Sequence, residues 1–276
     1  MSRIDDYVRP SSVADATEVK RELGSKACYL AGGTDALVIT PPQATTAIDI
    51  MALDLKGVHR SNGAVVIGAT TILRDVERHP DIVGVAGGAL VEAIRETGPW
   101  LIRNAATLAG NICNASPSAD SAPILLALDA ELILSTGKAV PLFEFFQGPR
   151  RTALQDELVT EIRIYPRERD GRFHKLSRSK SDIAQVNIAV TARVESNVLH
   201  DVRVALGSVA PTPIRARNSE QLLEGQIVSD DLLKQLADTV RAEISPIDDW
   251  RATGAYRRHT AGVLATRLVS SLVAST

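Results

Sequence analysis

Tyr29-Leu30-Ala31-Gly32-Gly33-Thr34-Asp35-Ala36-Leu37 opens as an apolar run and breaks into two glycines, a hydroxyl and a carboxylate. The run 27–31 reads as a buried strand, because it is short, apolar and bounded by turn residues. Glycines directly after a strand let backbone N–H groups converge on an anion with no Cβ in the way. About 75 residues later, Thr107-Leu108-Ala109-Gly110-Asn111 has a similar make-up of small residues, a hydroxyl and an amide. Thr34 and Thr107 supply hydroxyl donors and Asn111 an amide, so the turns 31–35 and 107–111 could clamp one pyrophosphate from both sides. Turn chemistry alone also fits two tight turns without a ligand. The segment 97–121 follows neither the helical nor the strand period. A loop of more than about 15 residues in a compact domain is usually functional or disordered, and the apolar content here speaks against disorder.

Other signatures are missing. No GxGxxG follows a strand, Gly63 and Gly68 have P-loop spacing without its lysine, and neither a GxSxG elbow nor an HExxH occurs. His59, His79, His174, His200 and His259 are scattered and read as surface or packing residues. Cys28 and Cys113 are too few and too far apart for a disulfide framework or a structural zinc, and an iron–sulfur cluster needs about four thiolates. The 31 basic and 33 acidic residues form no long block of one sign, so neither nucleic acid nor an anionic membrane is the expected partner. No apolar run reaches the ~18 residues of a membrane span. Residues 1–6 lack the basic and apolar regions of a leader, and a cytoplasmic protein is expected.

The 276 residues, 45% of them hydrophobic, suffice for one to three domains. A helix is predicted over 12–23, capped by Ser12 and stopped by Gly24, with a short helical turn at 36–39. Strands are predicted at 47–50, 64–69, 131–134 and 158–164, and helices at 71–77, 86–96 and 122–128, the last capped by Ser121. Beyond a boundary near 167–171, the alternating runs 188–194 and 202–206 flank a hairpin at Ser196-Asn197. Two helices follow, the clearer over 230–244 with Leu233, Leu236, Ala237, Val240 and Ile244 on one face, and a last helix spans 255–272.

Taken together, 29–37, 102–116 running on to 129, 175–184, 207–216 and 248–259 resemble, in order, the FAD-binding medium subunit of the xanthine dehydrogenase and carbon monoxide dehydrogenase family of molybdenum hydroxylases. Single motifs are weak; five in register cover nearly the whole chain. The resemblance implies an α+β fold with a two-subdomain PCMH-type FAD-binding domain, 1–170, divided at about 57/58. A C-terminal domain, 171–276, of antiparallel sheet with packed helices would follow. It also implies FAD in this chain, 2Fe–2S clusters in a small partner subunit, the molybdenum cofactor in a large one, and a dimer of such heterotrimers. Electrons would pass from the clusters to FAD and on to an external acceptor. The cysteine count agrees, since this chain cannot hold a cluster of its own. A stand-alone flavin reductase or oxidase, or a flavin-free assembly scaffold, are the alternatives.

By resemblance, Leu30, Ala31, Gly32, Gly33, Thr34, Asp35, Ala36 and Leu37, with Thr107, Ala109, Gly110, Asn111, Ile112 and Ser116, would contact the cofactor, mainly through backbone N–H groups. Asp120 would accept from ribityl hydroxyls; from the residues alone it is a helix N-terminal charge. Lys175 would lie beside the flavin ring and favour its reduction, and otherwise reads as a strand-edge surface lysine. Val159 matches an apolar position near the flavin, or simply a core residue. Arg178, Arg257 and Arg258 read as structural or interface charges. No catalytic side chain is expected, because the flavin carries the chemistry. The family's second turn has glycine where this chain has Ala109. A positive φ there would cost about 1 kcal/mol or more, but a negative φ and retained FAD binding are expected.

Overall fold

The computed structural model describes residues 4–274; residues 1–3, part of the stretch read for a leader, and 275–276 lie outside the described residues. Ser12 accepts the Asp15 N–H at 3.0 Å, so the helix Val13–Leu23 starts at its expected cap, and Gly24, at φ +54°, ends it. The strand Ala27–Leu30 then pairs in parallel with Thr46–Asp49, which pairs in parallel with Asp6–Val8 on its other edge. The central strand is buried throughout, and Ala16, Ala27, Ile48, Ile50, Leu53 and Leu158 close a small core.

A five-stranded antiparallel sheet follows, in the order Val58–Ser61, Ala64–Gly68, Val159–Ile164, Glu131–Leu134, Ala139–Pro141. Ile67, Ile162 and Leu132 form one row across it. They share the largest core with Leu90 and Ile94 of the helix Ala89–Glu96, Leu108 and Ile112 of Leu108–Cys113, and Leu125 of Ser121–Ala127. Each such side chain, fully buried, contributes roughly 1.5–3 kcal/mol.

The last sheet is antiparallel, in the order Asp170–Leu176, Val186–Glu195, Val198–Gly207, Ile214–Arg215. Its two long strands are buried on both faces, and the strand period of two sorts them. Val186, Ile188, Val190, Ala192, Val204 and Leu206 join a core with Leu236 and Val240 of the helix Asp230–Glu243 and Ala265 and Val269 of Gly254–Val273. The alternate residues face the preceding domain: Ala189 and Ala205 enter its core with Phe173, and Thr191 Oγ1 donates to the Ala127 carbonyl at 2.9 Å. At Gly171 a Cβ would meet the Ala86 methyl at 3.0 Å, so close approach also explains that glycine.

Two arginines, Arg203 and Arg215, fasten this contact across the boundary, and Arg169 joins them from the N-terminal side. Arg169, Arg203 and Arg215 reach the Asp129 carboxylate at 3.1, 3.1 and 2.6 Å. Burial pushes the Asp129 carboxyl up, but the charges of Arg203, Arg215 and Arg169 overcome this and hold it below the usual carboxylate range. Its folded pKa being depressed, Asp129 contributes stability that is present above the unfolded value of about 4 and lost as pH falls through the folded value. Asp129→Asn is therefore expected to lose about 2 kcal/mol at neutral pH, and less as the solution is acidified. Denaturant melts between pH 7 and 3 check this; parallel curves for both proteins would refute it.

The structure departs from the predicted elements where pieces are short. The helix expected over 71–77 is only Leu73–Val76, and the one over 86–96 is broken, since Ala86 and Gly87 have φ +49° and +60° and the helix proper is Ala89–Glu96. Segment 97–121 contains two helices, Trp100–Arg103 and Leu108–Cys113, of 4 and 6 residues, too short to display a period. Ser121 does not cap the helix Ser121–Ala127: Asp120 holds the cap position without a capping side-chain bond, and Ser121 Oγ donates to Asn111 Oδ1 at 2.6 Å. On the helix Asp230–Glu243 the buried stripe is Leu232, Leu236 and Val240, with Leu233 only partly covered. The hairpin at Ser196-Asn197 is as expected, both residues having positive φ.

Candidate functional site

The strand Ala27–Leu30 delivers the first turn, and what stops a side chain there is the second segment. A Cβ on Gly32 would overlap the Ala105 carbonyl, although the Gly32 φ is not itself positive. Gly33 does need glycine's freedom, at φ +69°, and a Cβ there would touch Leu37 Cδ1 at 3.0 Å. The Ile39 N–H donates to the Asp35 carbonyl at 2.8 Å, giving the short helical turn predicted after the glycines. Asn114 Nδ2 donates to Asp35 Oδ2 at 3.1 Å, a second tie between the two segments.

Across this junction Thr107 caps the helix Leu108–Cys113, its Oγ1 accepting the Gly110 N–H at 3.0 Å. A Cβ on Gly110 would press on that oxygen at 2.8 Å. Ala109 has helical backbone and is buried with the main core, so the departure from glycine strains nothing. Asn111, half-buried, is oriented by the Ser121 hydroxyl, and Ile112 is fully buried. Ser116 Oγ accepts the Ser118 N–H at 3.3 Å in the loop leading to Asp120.

Asp120 and Lys175 meet beyond that loop. Lys175 Nζ donates to Asp120 Oδ2 and to the Glu96 carbonyl, both at 2.8 Å, and its side chain is 2% exposed. It is therefore no surface lysine. Burial raises the Asp120 carboxyl above its usual range, against the opposing pull of Lys175 and Asn187. The turn that presents the Glu96 carbonyl is held by Arg103, which donates to the Gly98 carbonyl at 2.7 Å, the Arg95 carbonyl at 3.0 Å and the buried Glu77 at 3.1 Å.

Contacts thus run from Gly32 to Ala105, from Asp35 to Asn114, from Asn111 to Ser121 and from Asp120 to Lys175. Thr34 and Ala36 lie half-buried beside the first turn, Leu30 and Ala31 lead into it, and Leu37 is half exposed at its end. Val159 is buried in the same core as Ala109 and Ile112. Arg257 is buried, donating to the Gln185 carbonyl at 2.6 Å, while Arg178 stacks on Trp250. The sequence reading missed Asn114, Ser121 and Asn187. Only Asn187 left a signal, as an amide within the mostly apolar first half of its strand. An open cavity of about 530 Å³, lined by Arg60, Asp81, Gly87 and Arg169 among others, contains none of the candidate site residues.

The residues present suit a dinucleotide: two turns whose glycines leave no room for a Cβ, facing segments in contact, and a buried cation with its carboxylate. Comparison with known proteins agrees. Residues 2–167 match the family model described as the FAD binding domain in molybdopterin dehydrogenase, and 171–272 match the CO dehydrogenase flavoprotein C-terminal domain. The carbon monoxide dehydrogenase medium chain of Hydrogenophaga pseudoflava is 30% identical, with 96% of each chain covered. The xanthine dehydrogenase FAD-binding subunit of Escherichia coli O157:H7 is also 30% identical, over 98% of this chain and 96% of that one. A solved structure of the Hydrogenophaga carbon monoxide dehydrogenase superposes with a TM-score of 0.93 at 31% identity, covering 98% of this chain and 97% of that chain. This chain belongs to the family of FAD-binding medium subunits of molybdenum hydroxylases, and is an oxidoreductase flavoprotein subunit with an α+β fold.

Proposed function

We propose that this chain takes electrons from the 2Fe–2S clusters of a small partner subunit and hands them, by way of its FAD, to an external acceptor. The complex would include a large molybdenum-cofactor subunit, arranged as a dimer of heterotrimers in the cytoplasm. The chain itself would divide into 1–57, 58–170 and 171–276. The observation that carries this reading is the contact of Gly32 with Ala105, which sets both glycine turns against each other near the buried Lys175–Asp120 pair.

FAD, when bound, supplies the redox chemistry. Backbone N–H groups of 31–37 and 107–112 would hold its pyrophosphate, with Thr34 and Asn111 adding side-chain donors. Asp120 has one lone pair on each oxygen beyond those met by Lys175 and Asn187, enough to accept from a ribityl hydroxyl. Lys175, fixed by two acceptors, would place a positive charge beside the ring, where it favours uptake of electrons. Ser116 would contact the cofactor, while Val159 would present an apolar surface to the flavin region.

Purification of the tagged chain from its own host tests the proposal. Copurifying subunits that carry iron and molybdenum in fixed ratio to flavin are expected. Full activity of the isolated chain with a flavin-reducing substrate would favour the stand-alone reductase, and a colourless folded complex would leave the scaffold.

A further inference from the structure

Asn187 lies in the strand Val186–Glu195, fully buried, with Lys175 opposite it on one neighbouring strand and Gly207 opposite it on the other. Its Nδ2 donates to Asp120 Oδ1 at 2.9 Å and to the Ala119 carbonyl at 3.4 Å. Lys175 takes the other carboxylate oxygen. Asp120 is therefore gripped by two adjacent positions of one row of the C-terminal sheet. Gly207 completes the row: a Cβ there would collide with Asn187 Oδ1 and come within 3.1 Å of the Pro117 carbonyl. The row comprises a cation, an amide and an omitted side chain.

The amide is not there for packing. Its Oδ1 is buried with no hydrogen-bond partner in the protein, a state that an aliphatic residue would avoid. What Nδ2 does for Asp120 has to outweigh that loss. Three groups bear on the carboxyl: Lys175 from the strand Asp170–Leu176, Asn187 from its neighbour, and Glu96 from the end of the helix Ala89–Glu96. Lys175 and Asn187 favour the ionised form, whereas burial and Glu96 oppose it. Asn187 is the neutral member, adding a donor without adding charge.

We propose that Asn187 is a positioning residue for the flavin site, holding the Asp120 carboxylate so that one oxygen faces Lys175. The C-terminal domain would thereby set the charge arrangement beside the cofactor. This inference rests on the placement of the Asp120–Lys175 pair in the FAD site made under Proposed function.

The test is an infrared pH titration of the full-length chain without FAD, followed by a redox titration with FAD bound. In Asn187→Leu the protonated carboxyl of Asp120 should persist to a pH about one unit or more above wild type, a shift of at least about tenfold in the protonation equilibrium. The band should vanish in Asn187→Leu/Asp120→Asn. Gly207→Ala, which displaces the amide without removing a polar group, should reproduce the shift and serves if Asn187→Leu does not fold. Reloaded with FAD, either variant should show a changed flavin midpoint potential. If the variants that fold titrate as wild type, Asn187 is a packing residue and the proposal is overturned. A shifted titration with an unmoved flavin potential overturns instead the placement of the pair beside the cofactor.

Discussion

Gly32→Ala should lose most of its FAD. The new methyl has nowhere to go, because the position it needs belongs to the Ala105 carbonyl, and backbone yields less readily than the end of a side chain. Overpacking of this kind costs typically about 1–3 kcal/mol, which, falling on the bound state, corresponds to a loss of affinity of roughly 5- to 150-fold. The first and second turns would be forced apart at the point where they are expected to close on one pyrophosphate. Flavin content after desalting, read as the ratio of flavin to protein absorbance, measures the effect. Gly84→Ala is the control, since a Cβ there meets nothing within 4 Å and φ is not positive. Undiminished flavin in Gly32→Ala would sink the clamp.

Lys175→Met should have the second large effect, on stability as well as on the flavin. Breaking a buried ion pair from one side costs about 3–5 kcal/mol, because the remaining charge is left without compensation. The Asp120 carboxyl, already raised by burial, would rise further once Lys175 is gone. A carboxyl with a raised folded pKa contributes stability that is present below the unfolded value of about 4 and lost as pH rises through the folded value. The deficit of Lys175→Met should therefore grow with rising pH, and Lys175→Met/Asp120→Asn should recover most of it. Denaturant melts of the two variants across pH 4–8 decide the point; identical curves would mean that Asp120 is not the group left stranded. With FAD bound, the midpoint potential of Lys175→Met should be lower than wild type, since the cation proposed to lie beside the ring would be missing. An unchanged potential would confine Lys175 to a structural role.

What the sequence disclosed, and what it did not, follows from how local each signal is. The Ser12 cap, the Gly24 stop and the Ser196-Asn197 hairpin depend on a few adjacent residues, and all three lie where expected. The two glycine turns were visible as turns, but the reason for Gly32 sits more than seventy residues away, in a carbonyl that no local pattern announces. Helices such as Trp100–Arg103 are shorter than two turns and cannot establish a period. Ser121 looked like a cap because it precedes an apolar run; its hydroxyl goes instead to Asn111, a tertiary partner. Lys175 is a charged residue beside His174 near the end of a strand, and its burial depends on Glu96 and Asp120 of the FAD-binding domain covering it.

The C-terminal domain has a bearing on how the molecule comes apart. The strands Val186–Glu195 and Val198–Gly207 supply wall to two cores at once, Ala189 and Ala205 on one and Val186, Ile188, Val190, Val204 and Leu206 on the other. An N-terminal fragment ending before Asp170 would have Phe173, Ala189 and Ala205 missing from its core and the Asp129 carboxylate stripped of two of its three guanidiniums, those of Arg203 and Arg215. The boundary that divides the family models is thus no seam in the energetic sense. The two halves should melt in a single cooperative step, and neither should fold autonomously.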